Sequence, residues 1–203
     1  MEYEAALTLQ EKIVQEKIAD PGRPDELLLL EHEPVYTIGR TPDQSSLRDV
    51  AELRHPLVKI NRGGQATFHG PGQLVGYPIV DLRPRGQDLH VYLRGLEEAL
   101  IQTLAELGIP AQRREGLTGV WVNERKIASI GVGVRKWIAM HGFALNVLGD
   151  LAPFTQITPC GIAGVEMTSV EREGAPNQTV QEVGNRVAPL LARVLEGMLN
   201  SSP

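Results

Sequence analysis

Residues 119–148 read GVWVNERKIASIGVGVRKWIAMHGFALNVL. GVWVNERKIASIGVGV forms two β-branched runs around an Asn-Glu-Arg turn, and WIAMHGFALNVL is a third run interrupted by His141 and Gly142. Strands joined by such short turns pair with their neighbours, so the stretch predicts an antiparallel meander. Upstream, DELLLLEH, VYTIG and PLVKINR are three further strand candidates. Helical spacing of Ala6, Leu9, Ile13 and Val14 predicts an opening helix over 3–19, stopped by Pro21-Gly22, and residues 45–54 are read as a short helix. Asp88 offers an N-cap to a helix carrying Leu93, Leu96, Leu100, Leu104 and Leu107, ended by Gly108 and Pro110. A last helix starts at Thr179, which has capping-box spacing to Glu182, and runs towards Asn200 with Pro189 expected to kink or divide it. Strands and helices come in blocks rather than in βαβ alternation. The expectation is α+β: one domain over residues 1–203, with helices packed on mixed, mostly antiparallel sheets.

The 203 residues are 42% apolar, enough for a well-buried core. The net charge of −5 and scattered basic residues argue against a nucleic-acid partner. The N-terminal twenty residues mix acids among apolar positions and read as neither signal peptide nor membrane span. A single cysteine allows no internal disulfide, so the expected location is a reducing, cytoplasmic one. His32, His55, His69, His90 and His141 lack any metal-ligand spacing, and no metal or other cofactor is expected.

Two features suggest chemistry. RGGQATFHGPGQLVGYPIVDL, from Arg62 to Leu82, is dense in glycine, which lets backbone amides approach a ligand closely. It matches neither phosphate-binding glycine pattern, and two tight ligand-free turns would explain it as well. Cys160, the lone cysteine, sits between Pro159 and Gly161 in a turn. A thiol is nucleophilic and partly ionised near neutral pH. It is also commonly a small buried hydrophobe, and both readings stay open on residue type alone. His69 and His141 stand out among the histidines because glycine follows each inside a strand-like run.

Four blocks in order, EHEPVYTIGR (31–40), RGGQATFHGPGQLVGYPIVDL (62–82), RKIASIGVGVRKWIAMHGFALNV (125–147) and ITPCGI (157–162), resemble the octanoyltransferases of protein lipoylation, also called lipoate biosynthesis protein B or lipoyl(octanoyl) transferases. The resemblance implies the fold of the biotin and lipoate protein ligases. It also implies transfer of octanoyl or lipoyl from acyl carrier protein to a lysine of lipoyl domains, those of 2-oxoacid dehydrogenase complexes and of the glycine cleavage H protein. Carried onto this chain, it makes Cys160 the acyl-thioester and Lys126 its partner. The substrate pocket would draw on Arg62, Gly63, Gly64, Gln65, Ala66, Thr67, Phe68 and His69, on Ser129, Ile130 and Gly131, and on Gly142, Phe143 and Ala144.

The chemistry can be sized. An ammonium about 4 Å from a thiolate stabilises it by roughly 4 kcal/mol at an effective dielectric near 20, opposed by desolvation. Once Cys160 is acylated, Lys126 loses that counter-ion and becomes a candidate base for the incoming amine. Backbone amides after Ser129 and His141 are candidate donors to the tetrahedral oxyanion. Leu74, Val75, Ile130 and Phe143 are candidate neighbours of an eight-carbon chain, each equally explicable as core. Three rivals remain: an ATP-dependent lipoate or biotin protein ligase on this fold, a cysteine thioesterase pairing Cys160 with His69 or His141, and a non-catalytic acyl-binding module.

Overall fold

The computed structural model describes residues 1–47 and 49–199. In chain order the elements are α1 (Tyr3–Ala19), β1 (Glu26–Leu30), β2 (Val35–Ile38), β3 (Leu57–Lys59), β4 (Thr67–His69), β5 (Gln73–Ile79), α2 (Leu89–Glu106), β6 (Gln112–Arg114), β7 (Leu117–Val122), β8 (Arg125–Arg135), β9 (Ile138–Asn146), β10 (Glu166–Met167) and α3 (Val180–Leu199). The meander forms as expected: β7, β8 and β9 are consecutive antiparallel neighbours at the centre of the main sheet. That sheet has the order β1-β5-β9-β8-β7-β6, and β10 adds to β8 in parallel. A smaller sheet, β3-β2-β4, pairs β2 with β3 in parallel and with β4 in antiparallel fashion. The Gly70-Pro71-Gly72 turn lies where the chain passes from one sheet to the other.

Alternation along the central strands sorts the two faces. Leu74 and Val80 of the β5 stretch and Ala139, Phe143 and Leu145 of β9 join the cluster built on α2 and α3. Val75, Tyr77 and Ile79 together with Ile138, Met140 and Ala144 turn to the opposite face, against α1. Leu96, Leu100 and Leu104 of α2 are fully buried against Val183, Val187 and Leu191 of α3. Asp88 caps α2 by accepting from the His90 and Val91 amides at 2.7 and 3.0 Å. The capping box of α3 is reciprocal: Thr179 N–H donates to Glu182 Oε2 (2.8 Å), and Glu182 N–H donates to Thr179 Oγ1 (3.2 Å).

Three expectations need correction. Pro189 does not divide α3, which continues through it. Burial of Val187, Leu190, Leu191 and Leu195 at about 1.5–3 kcal/mol each outweighs a proline cost of about 3 kcal/mol. Asn200 lies outside the described residues. Instead of a helix over 45–54 there is one 3-10 turn, Val50–Glu52, because Ser46 and Leu47 are drawn out to pair with Thr158 and Ile157; Arg48 lies outside the described residues. In α1 Leu9 is exposed rather than buried, and Gln10 is buried in its place, its Oε1 accepting the His141 amide at 2.8 Å. That amide sits where β9 leaves regular geometry, at His141 (φ 57°), so a polar side chain on α1 satisfies it better than leucine would.

Gly76 of β5 lies opposite Phe143 of β9, and a Cβ there would stand 2.2 Å from the Phe143 ring. Phe143 cannot keep its place above any other residue. Gly76→Ala is therefore expected to destabilise the protein by about 1–3 kcal/mol through overpacking, read as a lower midpoint in urea with an unchanged slope.

Candidate active site

The glycine-rich segment and the cysteine turn, far apart in sequence, are stapled together by backbone. Cys160 N–H donates to the Ala66 carbonyl (2.9 Å), Thr158 N–H to the Ser46 carbonyl (2.8 Å), and Ala66 N–H to Ser46 Oγ (3.1 Å). The staples hold Cys160 at φ 56°, ψ 18°, a left-handed conformation unusual for a side chain with a Cβ. Strain of this kind persists only where surrounding structure over-determines it, and it gathers at functional positions.

The half-buried Cys160 opens into a cavity of about 260 Å³. A single water needs only about 10–15 Å³ on this measure, so the cavity is large enough for a ligand of many atoms. Ser129 Oγ of β8 is 3.6 Å from Cys160 Sγ. Lys126, also on β8 and only 1% exposed, lines the same cavity; its Nζ donates to the Thr118 carbonyl (2.9 Å) and lies 5.2 Å from the centre of the Trp121 ring. Arg62, 7% exposed, donates to the Gly63 carbonyl (2.9 Å) and to Thr37 O and Oγ1 (3.1 and 2.9 Å). Among the described residues no carboxylate pairs with either cation. Burial pushes the Cys160 thiol up, but Lys126, the Ser129 hydroxyl and Arg62 together bring it below its ordinary value.

Of the sequence-predicted residues, the cavity is lined by Arg62, Gly64, Gln65, Thr67, His69, Lys126, Ser129, Ile130, Gly131, Gly142, Phe143, Ala144 and Cys160. Gly63, Ala66 and Phe68 are not among the lining residues. Strand alternation explains Phe68: Thr67 and His69 face the cavity, so Phe68 faces the core beside Tyr36 and Phe154. Ala66 is fully buried in that same core and contributes only its backbone staples. Gly63 is solvent-exposed and donates its amide to the Val132 carbonyl. Leu74 and Val75, suggested as acyl neighbours, belong to the cores on the two faces of the sheet, whereas Ile130 and Phe143 do line the cavity.

Sequence reasoning missed Tyr3, Tyr77, Gly116, Leu117, Thr118 and Ile162 in the wall, and placed His141 there only as a histidine worth examining. Tyr77 was reachable by alternation along β5. Tyr3 belongs to a distant helix and carries no signal in its neighbours.

His69 bonds to Gln73 Oε1 (2.8 Å) and Thr37 Oγ1 (3.3 Å), not to the thiol. Burial lowers the pKa of His69 to about 3, and burial with Arg62 lowers that of His141 to about 4. Both imidazoles are therefore neutral at pH 7, and the cations acting on the sulfur are Lys126 and Arg62.

The fold is that of a known class. Residues 2–191 match the model of the lipoyl protein ligase A/B catalytic domain. The chain belongs to that family, on its octanoyltransferase branch. It is 52% identical to the octanoyltransferase of Geobacter sulfurreducens over 204 residues, covering 100% of this chain and 85% of the relative. It is 49% identical to that of Pelobacter propionicus over 201 residues, covering 98% and 93%. Among solved structures it resembles the bi-partite lipoate protein ligase of Thermoplasma acidophilum, with TM-score 0.71 at 20% identity over 93% of this chain and 79% of that one. It also resembles a lipoate-protein ligase A bound with ATP, with TM-score 0.69 at 18% identity over 90% and 78%. At such identities these two likenesses concern the fold alone.

The buried histidines predict acid lability. Their folded pKa values lie below the unfolded value of about 6.5, so the stability they confer is present above about pH 6.5 and is lost as pH falls towards 4 and 3. Each should contribute up to about 1.4 kcal/mol per pH unit in that window. Denaturant melts at pH 7, 6, 5 and 4 should show falling stability over this range; a flat profile would contradict the burial of neutral imidazoles.

Proposed function

We propose that residues 1–203 act as one catalytic domain that transfers octanoyl, or lipoyl, from acyl carrier protein to a lysine on a lipoyl domain through an acyl-thioester on Cys160. The observation carrying this reading is the pairing, in one cavity, of a thiol with a buried ammonium that has no carboxylate partner among the described residues. The relatives' shared name, octanoyltransferase, supplies the acyl group and the reaction class. The lipoyl ligase family supports lipoyl-domain acceptors, here those of 2-oxoacid dehydrogenases and the glycine cleavage H protein. Among the described residues no helix is long and apolar enough to cross a membrane, in keeping with work on protein partners in the cytoplasm.

The steps balance without an external cofactor. The Cys160 thiolate attacks the carrier-bound thioester carbonyl; the carrier thiolate leaves and takes a proton from the Lys126 ammonium. Neutral Lys126 then accepts a proton from the neutral acceptor amine as that amine attacks the acyl-cysteine. Collapse forms the amide and expels the Cys160 thiolate beside the restored ammonium. A donor and a product thioester are similar in energy, so the first transfer requires no ATP, unlike the chemistry of a ligase. A thioesterase would pair the thiol with histidine, and here His69 is engaged by Gln73 and Thr37 instead.

Intact-mass measurement after incubation with octanoyl carrier protein should show one octanoyl adduct, discharged by lipoyl domain and missing in Cys160→Ser. Octanoylated acceptor formed by the Cys160→Ser protein would overturn the covalent route, and release of free octanoate in the presence of acceptor would favour hydrolysis.

A further inference from the structure

The Thr118–Gly119 peptide group lies between two opposite charges. Its carbonyl accepts from Lys126 Nζ at 2.9 Å, and its N–H donates to Glu97 Oε1 at 3.0 Å. Glu97 comes from α2 and is fully buried. Its other oxygen, Oε2, receives Arg94 Nη1 (2.6 Å) and Arg113 Nε (3.1 Å). The strand is irregular at this point: the β7–β8 register shifts between Val120 and Trp121, and Gly119 has φ 127°. A Cβ on Gly119 would stand 2.6 Å from Lys126 Cε and 3.1 Å from its Nζ. The glycine therefore leaves the space that the ammonium occupies.

Resting on the reading of Lys126 given above, we infer that Glu97 is a positioning residue: it fixes the Thr118–Gly119 peptide plane from behind, so that the Thr118 carbonyl holds the Lys126 ammonium toward Cys160. A carboxylate accepting the N–H aligns and polarises the peptide, strengthening its carbonyl as an acceptor. Arg94 and Arg113 hold the carboxylate in turn. The Gly119 amide is buried, and Glu97 Oε1 is the side-chain acceptor that satisfies it.

The test follows the pH dependence of Cys160 alkylation in the intact protein. The charged groups facing this assembly are Cys160 and Arg62 across the cavity, Arg94 and Arg113 behind Glu97, Glu98 beside Arg113, and Arg114, which lies 4.9 Å from the Trp121 ring centre. Glu97→Leu and Gly119→Ala should each move the alkylation midpoint up by about one unit and slow alkylation at pH 7 about tenfold. Glu97→Gln, which keeps an acceptor oxygen, should restore most of the profile. Arg113→Ala should lower thermal stability yet leave the profile in place, because Arg94 still holds Glu97 Oε2; a purely structural role for Glu97 would leave the profile unmoved in Glu97→Leu as well. In the wild-type protein, where no variant need fold, the Gly119 amide should exchange with solvent far more slowly than the Gly116 amide. Exchange at equal rates would refute the link to Glu97. Lys126→Ala separates the two levels: if it leaves the profile unchanged, the reading of Lys126 fails, and if it shifts the profile while Glu97→Leu and Gly119→Ala do not, only this inference fails.

Discussion

A primary ammonium almost free of water, with no carboxylate paired to it among the described residues, is the constraint around which this molecule is arranged. Lys126 is held by one carbonyl and one indole face, and the sulfur of Cys160 shares its cavity. Removing an ion from water without a full partner is costly. A thiolate at Cys160 would offset part of that cost, and Lys126 and Arg62 in turn hold the thiol below its ordinary value. In the proposed two-step transfer, acylation of the sulfur removes that negative charge, and Lys126 is the group placed to take the acceptor's proton.

The fold supplies the rigidity this pairing needs. Lys126 and Ser129 stand on β8, at the centre of a sheet packed on both faces, and the cysteine turn is bolted to the glycine-rich segment through Ala66 and Ser46. The central sheet anchors one half of the site, and the segment linking the two sheets anchors the other. A 1 Å slip between them would separate the charges, and the left-handed backbone at Cys160 shows how tightly the turn is held.

Much of this was legible in the chain. Caps and leucine spacing placed α2, the box at Thr179 placed the start of α3, and the β-branched runs placed the meander, because each depends on residues close together in sequence. Most of the residues that block-wise resemblance pointed to, rather than periodicity, lie around one cavity. What stayed hidden depended on register and on distant partners. Phe68 turned inward because β4 alternates about Thr67 and His69, and Gln10 replaced Leu9 in the core because an irregular amide on β9 needed an acceptor. The segment before Val50 lost its helix to pairing with residues 157–158. No local pattern could have announced that Glu97, an ordinary helix acid beside two arginines, binds the peptide group whose carbonyl accepts from Lys126.

The most direct measurement is the ultraviolet absorbance of the Cys160 thiolate, titrated in the wild-type protein and in Lys126→Met. Reliance of the anion on the buried ammonium predicts an apparent ionisation below that of an ordinary thiol in the wild type and above it in the variant, where burial acts with one cation fewer. Superimposable titration curves for the two proteins would contradict it.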